Sequence, residues 1–135
     1  AFREELKADE VLITADTVVC IHDRILGKPA DRKEAISMLR ELSGNRHLVV
    51  TGVSVTTRTE QLSFSSRTDV FFKHLSNEEI IFYVDTYKPF DKAGAYGIQE
   101  WIGYIGIERI EGSFYNVMGL PIQKLYETLR KLQFQ

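Results

Sequence analysis

The sequence has one cysteine, no long apolar run and almost no net charge. Cys20 has no second cysteine to pair with, which excludes an internal disulfide and favours a reducing compartment. No hydrophobic run approaches the length of a membrane span, so no membrane partner is predicted. A net charge of -2 excludes attraction of nucleic acid by overall charge. Any anionic ligand must therefore be bound by local lysines and arginines.

Several common site motifs are also missing. His22, His47 and His74 do not have the spacing of metal ligands. Aromatic residues are not interleaved with basic ones, as nucleic-acid binding requires. No Gly-x4-Gly-Lys-Ser/Thr occurs, which excludes a Walker phosphate loop. The 135 residues, 44% hydrophobic and 27% charged, predict one globular domain with a substantial core.

Hydrophobic periodicity predicts both strands and helices. Strands are predicted at residues 11–21, 47–57, 61–73 and 102–110, and helices at 32–43, from Ser76 to about Asp85, and from Pro121 onward. The second and third strands are joined by too few residues for a crossover helix, which predicts a hairpin. The predicted core face of the last helix comprises Ile122, Leu125, Tyr126, Leu129 and Leu132.

Asp16 stands in the middle of the first predicted strand. That strand is rich in Val, Ile and Thr, which predicts burial on both faces. An ionised carboxylate is costly to bury unless a cation, a metal ion or several donors meet it. Lys28 follows in the next loop, where Pro29 would stiffen the chain. The pair suits general-base or metal-assisted chemistry on an anionic substrate, and a purely structural Asp16 explains the residues equally well.

The polar stretch over residues 88–100 is too long to be only a connection. In it, Lys92 is followed by small residues and glycines, which can bring backbone N–H groups close to a phosphate. Gln99 carries both a donor and an acceptor. A uracil or thymine edge presents an N3–H donor beside a carbonyl, so one glutamine can satisfy both. From these residues alone, a structural loop remains the alternative.

A series of short motifs follows in order along the chain. They are Ala15-Asp16-Thr17-Val18-Val19, Leu26-Gly27-Lys28-Pro29, Glu34-Ala35, Leu42-Ser43-Gly44, Thr51-Gly52-Val53, Lys92-Ala93-Gly94-Ala95-Tyr96-Gly97-Ile98-Gln99, Gly112-Ser113, Asn116-Val117 and Gly119-Leu120-Pro121. This series resembles the Maf family of cytoplasmic nucleoside-triphosphate pyrophosphatases, from about residue 12 to the C-terminus.

The resemblance implies a fold and an activity. The implied fold is α/β, with a mixed twisted sheet flanked by helices and a cleft between two lobes, as in the inosine-triphosphate-pyrophosphatase-like architecture. Residues 1–135 would form a single Maf-like domain. The implied activity is hydrolysis of a nucleoside triphosphate between its α- and β-phosphates, aided by Mg²⁺ or Mn²⁺. The implied partners are that substrate and a second copy of the chain in a homodimer, with neither nucleic acid nor membrane.

The resemblance also implies roles for five residues. Asp16 would be the base or a metal-linked carboxylate, and Lys28 and Lys92 would neutralise the triphosphate. The Ala-Asp-Thr form together with Gly-Ile-Gln goes with the dTTP and UTP pyrophosphatases, so Thr17 and Gln99 would set specificity. The alternative is a nucleotide-binding regulatory protein linked to cell division, without significant turnover.

Two features depart from the family pattern. Glu100 and Trp101 follow Gln99 where many members have glycine, which bears on the shape of this loop. Family members also open with a Ser-x-Ser-Pro-Arg-Arg loop and a helix. Here the chain starts at Ala1, and residues 2–7 are predicted to be the tail of a helix. We therefore expect the chain to begin inside a longer protein and to lack that opening segment.

Overall fold

A computed structural model describes Lys7 and residues 10–132. Its elements, in chain order, are β1 (Leu12–Ile21), β2 (Arg24–Leu26), α1 (Arg32–Leu42), β3 (Arg46–Thr56), β4 (Gln61–Phe72), α2 (Asn77–Tyr87), α3 (Trp101–Gly106), β5 (Ile107–Glu111), α4 (Phe114–Val117) and α5 (Ile122–Lys131). The predicted α/β class is confirmed. The helix tail predicted at residues 2–7 lies outside the described residues, apart from Lys7. No helix in the described part is long and apolar enough to cross a membrane.

The five strands form one sheet in the order β2-β1-β3-β4-β5. Every pairing among the described strands is antiparallel, whereas the resemblance implied a mixed sheet. Short connections account for two of these pairings, because the chain reverses directly at residues 22–23 between β1 and β2 and at 57–60 between β3 and β4. The second of these reversals makes β3 and β4 the hairpin that the sequence predicted.

Two apolar clusters pack on the sheet. The larger one joins α1, α2 and the loop after α2 to the sheet and includes Val19, Leu39, Val49 and Tyr83. The smaller one packs α5 on the sheet and comprises Val53, Val55, Leu125 and Leu132. Strand β3 contributes to both clusters, so the two groups of helices pack on the same sheet.

The strand predicted at residues 102–110 is wrong in its first half. Residues 101–106 form the short helix α3, and the strand is confined to Ile107–Glu111. The ring of Trp101 meets Phe82 of α2 edge-on at 4.9 Å, and Ile102 is buried. These contacts with α2 and the core outweigh the β propensity of the isoleucines, which is a weak and context-dependent preference.

The core face predicted for α5 is only partly correct. Leu125 and Leu132 are buried, whereas Ile122 and Tyr126 are 47% and 57% exposed. The helix therefore contacts the sheet along a narrower stripe than its apolar pattern indicates, since periodicity shows which residues share a face but not how wide the contact is.

The first strand is not buried on both faces, as its composition predicted. Residues 13–16 are exposed, and burial begins toward the end of the strand, at Val19. Strand β2 pairs only with residues 19–21 of β1. Within the described part of the chain, the earlier residues of β1 therefore have a free edge, and Asp16 lies on that edge.

Candidate functional site

A cavity of about 250 Å³ opens beside the free edge of β1. All five residues singled out in the sequence line it, and they come from β1, from the loop after β2 and from the loop after α2: Asp16, Thr17, Lys28, Lys92 and Gln99. Because these three segments are distant in sequence, their convergence is a result of the fold. The cavity is the candidate functional site.

The two lysine-bearing loops are joined to each other. The Gly94 N–H donates to the Gly27 carbonyl at 3.1 Å, which connects the segment before Lys28 to the segment after Lys92. Gly94 has φ +71°, and a Cβ there would lie 3.0 Å from Cγ2 of Val19. Only glycine combines that backbone conformation with such a close approach to β1. The loops thus hold both ammonium groups at the same cavity.

Charged side chains at the rim of the cavity interact with one another. Lys92 Nζ donates to Oδ1 of the neighbouring Asp91 at 3.2 Å. This hydrogen bond, above all, holds the pKa of Asp91 below its ordinary value, and the charge of Lys28 acts in the same direction. Two cations and the carboxylates of Asp91 and Asp16 therefore share one rim. Such a rim can bind an anion and place a carboxylate beside it.

Asp16 is exposed, which corrects the expectation of a buried acid. Its carboxylate makes no hydrogen bond or ion pair with any residue in the described part of the chain, in contrast to Asp91, which is paired with Lys92. The desolvation cost that burial would impose is therefore small. An unpaired carboxylate at a cavity edge is free to accept a proton or to bind a cation.

Thr17 belongs to a polar network beneath the cavity. Its hydroxyl lies 2.9 Å from Oγ1 of Thr51, and the Thr51 hydroxyl donates to the Asn116 carbonyl at 3.2 Å. Because a carbonyl only accepts, the single Thr51 proton is committed there, and Thr17 must donate to Thr51. Thr17 therefore has lone pairs left and no proton, so it can offer only an acceptor to a ligand. Asn116 in turn donates to Val49 O and Thr68 Oγ1.

The sequence did not single out every residue that lines the cavity. Asp91, Tyr96, Val117, Met118 and Gly119 also contribute to the wall. Most of them belong to the motifs that carry the family resemblance. Membership in those motifs is the sequence signal that could have identified them as site residues. Apart from Asp91, their side chains carry no charge, so their chemistry alone did not mark them as site residues.

His47 supports the cavity wall from inside the core. It is 1% exposed, and its Nε2 lies 2.7 Å from the hydroxyl of Tyr96, which lines the cavity. Both rings pack tilted or edge-on against Phe72. Burial lowers the pKa of His47 to about 4, so the imidazole is neutral at pH 7. The neutral ring therefore supports the side chain of Tyr96 through this contact.

The protein should lose stability in weak acid because of His47. Its folded-state pKa is about 4, below the ordinary value of 6.5, so the unfolded chain binds more protons between these values. The stabilisation is fully present above pH 6.5 and is lost as the pH falls toward 4, by up to about 1.4 kcal/mol per pH unit and about 3 kcal/mol in all. Urea unfolding between pH 7 and pH 4.5 measures this loss.

The control for this prediction is a pair of histidine variants. His47→Gln should flatten the fall in unfolding free energy over that pH range, whereas His74→Gln, at an exposed position, should leave it unchanged. An equally steep fall in His47→Gln would show that other groups cause it.

The cavity's oxygen donors fit a metal ion that is bound together with an anionic ligand. The described residues contain no group of three or more His, Cys, Asp and Glu side chains that could hold a metal by themselves. Mg²⁺, however, is usually bound by one or two carboxylates plus substrate phosphates. Asp16 and Asp91, both on the cavity wall, supply that donor type.

The chain matches a known protein family over almost its whole length. A profile for the family described as Maf-like protein matches residues 1–132, which includes every segment that lines the cavity. The chain belongs to the Maf family. Membership agrees with the α/β fold and with the motif order in the sequence.

Curated relatives support the same assignment. A protein of Bacteroides thetaiotaomicron named dTTP/UTP pyrophosphatase is 59% identical over 132 residues, which are 98% of this chain and 68% of the relative. A Parabacteroides distasonis protein of the same name is 56% identical over 130 residues, 96% of this chain and 67% of the relative. A third, from Porphyromonas gingivalis, is 62% identical over 120 residues, 89% of this chain and 60% of the relative.

Proposed function

We propose that this Maf protein hydrolyses nucleoside triphosphates between the α- and β-phosphates, with dTTP and UTP as preferred substrates. The observation that carries the proposal is the convergence of an exposed carboxylate, two lysines, a threonine and a glutamine on one cavity. The names of the similar proteins point to the same pair of nucleotides.

In the proposed reaction, Asp16 accepts a proton from the water that attacks the α-phosphorus. The new P–O bond forms as the bond to the bridging oxygen breaks, which gives the nucleoside monophosphate and pyrophosphate. The carboxylate is suited to this because it is exposed at the cavity edge and has no competing partner among the described residues. A positioned base of this kind typically contributes about 10²–10⁴-fold to the rate.

Lys28 and Lys92 would bind the triphosphate and offset the negative charge that develops on it. For Lys92 this requires exchanging its contact with Asp91 for a phosphate oxygen. Asp91, once Lys92 has moved to the phosphate, would hold the proposed Mg²⁺ or Mn²⁺ together with the substrate. When bound, that ion supplies further charge neutralisation at the phosphates.

Thr17 and Gln99 would select the base. Gln99 is exposed at the cavity, and its amide can meet both the N3–H and a carbonyl of uracil or thymine. Thr17 can offer only an acceptor, because its proton is committed to Thr51. Cytosine has an acceptor at N3 and an amine at C4, so it would be mismatched with a Gln99 amide oriented for uracil and with a Thr17 acceptor that faces N3.

The proposed setting is the cytoplasm, where the single cysteine stays reduced and nucleotides are abundant. The homodimer implied by the family resemblance is part of this proposal, and sedimentation of the purified protein tests it.

The test of the proposed function is product analysis with a panel of nucleotides. The protein is incubated with dTTP, UTP, dCTP and the purine triphosphates, with Mg²⁺ or Mn²⁺ and with a chelator. The expected result is pyrophosphate and monophosphate from dTTP and UTP, and loss of turnover with the chelator. Binding without turnover of any nucleotide would contradict the proposal and support the regulatory alternative.

A further inference from the structure

Gln99 has no side-chain anchor of its own among the described residues, so its position depends on the backbone on either side of it. A turn closes across Gln99, because the Glu100 N–H donates to the Gly97 carbonyl at 3.0 Å, and two hydrogen bonds anchor this turn to the hydroxyl of Tyr83 on α2. The Gly97 N–H donates to Tyr83 Oη at 3.0 Å, and Tyr83 Oη donates to Glu100 Oε1 at 2.5 Å. One phenol therefore holds the residue two before Gln99 and the residue directly after it.

Tyr83 is itself held rigidly. It lies on α2 and is 0% exposed, and its ring stacks on Tyr87 with 5.1 Å between centroids. Burial, together with the hydrogen bond to Glu100, raises the pKa of Tyr83 well above its ordinary value. The hydroxyl thus keeps its proton at any working pH, donates it to the carboxylate and accepts from Gly97.

The backbone that Tyr83 anchors at Gly97 also packs against the side chain of Lys92. At Gly97, a Cβ would lie 2.8 Å from Cε of Lys92 and 2.8 Å from Oε1 of Glu100. The Lys92 stem and the Glu100 carboxylate therefore both pack against Gly97 at the place where a side chain would stand. A shift of Gly97 would move both the phosphate-binding ammonium and the base-reading amide.

We propose that Tyr83 is a positioning residue for base selection: its hydroxyl fixes the backbone that carries Gln99 and supports the stem of Lys92. This rests on the proposed function. It also gives a role to Glu100, which stands where many family members have glycine, because the carboxylate is the acceptor that completes the anchor. The Tyr83 hydroxyl touches no substrate; it acts through the loop.

The test is the variant Tyr83→Phe, which keeps the buried ring and removes both hydrogen bonds. Because small displacements of a positioned group have large effects on rate, kcat/KM for dTTP should fall about 10- to 100-fold. The ratio of kcat/KM for dTTP to that for dCTP should fall about tenfold, since Gln99 loses its fixed position. Hydrogen exchange of the Gly97 amide should become at least about tenfold faster.

Matched variants separate positioning from packing. Tyr87→Phe alters the neighbouring tyrosine of the same helix, whose hydroxyl makes no hydrogen bond in the described part of the chain, and should leave the dTTP/dCTP ratio within about twofold. Glu100→Gln keeps an acceptor for Tyr83 and should keep most of the selectivity, whereas Glu100→Ala should resemble Tyr83→Phe. The double variant Tyr83→Phe/Glu100→Ala should be little worse than either single one.

Different results would contradict the proposed function and the role of Tyr83. If the wild-type protein hydrolyses dTTP no better than dCTP, the proposed function is wrong. If the wild type has the expected preference and Tyr83→Phe keeps the same ratio, or lowers all rates equally with a lower melting temperature, the role of Tyr83 in base selection is wrong. Unchanged Gly97 exchange in Tyr83→Phe would overturn the anchor itself.

Discussion

Replacing Asp16 by asparagine is expected to lower the rate of dTTP hydrolysis by at least about a hundredfold, the lower end for a positioned acid or base. Asparagine keeps the shape of the side chain and removes the charge and the proton affinity. Because Asp16 is exposed and makes no hydrogen bond in the described part of the chain, the change should leave the melting temperature nearly unaltered. Rates of pyrophosphate release and thermal unfolding measure the two effects.

The matched control for this prediction is Asp23→Asn. Asp23 is an exposed aspartate in the turn between β1 and β2, outside the cavity, and its positive φ of 61° is tolerated by asparagine. Its activity should equal that of the wild type. Near-normal turnover in Asp16→Asn would mean that another group accepts the proton from water.

Replacing Gln99 by alanine is expected to remove most of the preference for dTTP and UTP over dCTP. A mismatched polar group at the base costs about 1–3 kcal/mol, which corresponds to roughly ten- to a hundredfold discrimination. In Gln99→Ala the mismatch with cytosine disappears together with the match to thymine. The measurement is kcat/KM for dTTP, UTP and dCTP with the wild type and the variant.

Gln123→Ala provides the control for Gln99, because it removes an exposed amide from α5, away from the cavity. Its nucleotide ranking should match that of the wild type. An unchanged ranking in Gln99→Ala, or a wild type that prefers GTP-type substrates, would contradict the assigned role of Gln99.

The fold class was predictable because the sequence patterns that mark helices and strands are local. Capping residues and periodicity mark α1 and α2, whose caps Asp31 and Ser76 accept from the N–H groups of Glu34 and Glu79. Helix α3 was not predictable in this way, since the choice between helix and strand at residues 101–106 depends on where Trp101 and Ile102 pack. The antiparallel sheet likewise follows from which strands pair, and the motif series does not specify that.

The five candidate site residues could be named from the sequence because each belongs to a recognisable motif. The structural surroundings of these residues could not be predicted from the sequence. The exposure of Asp16 results from the short pairing of β2 with β1, a property of the sheet and not of the Val-rich segment that contains it. The hydrogen bond from Gly94 to Gly27, and the one from Tyr83 to Glu100, join residues whose proximity appears only when the chain is folded.

In the proposed reaction, the cavity directs water to the α-phosphorus of dTTP. The most direct measurement is hydrolysis in ¹⁸O-labelled water, followed by mass spectrometry of both products from a single turnover. The expected result is one ¹⁸O atom in dTMP and none in pyrophosphate. Label in the pyrophosphate, or formation of dTDP and inorganic phosphate, would contradict it.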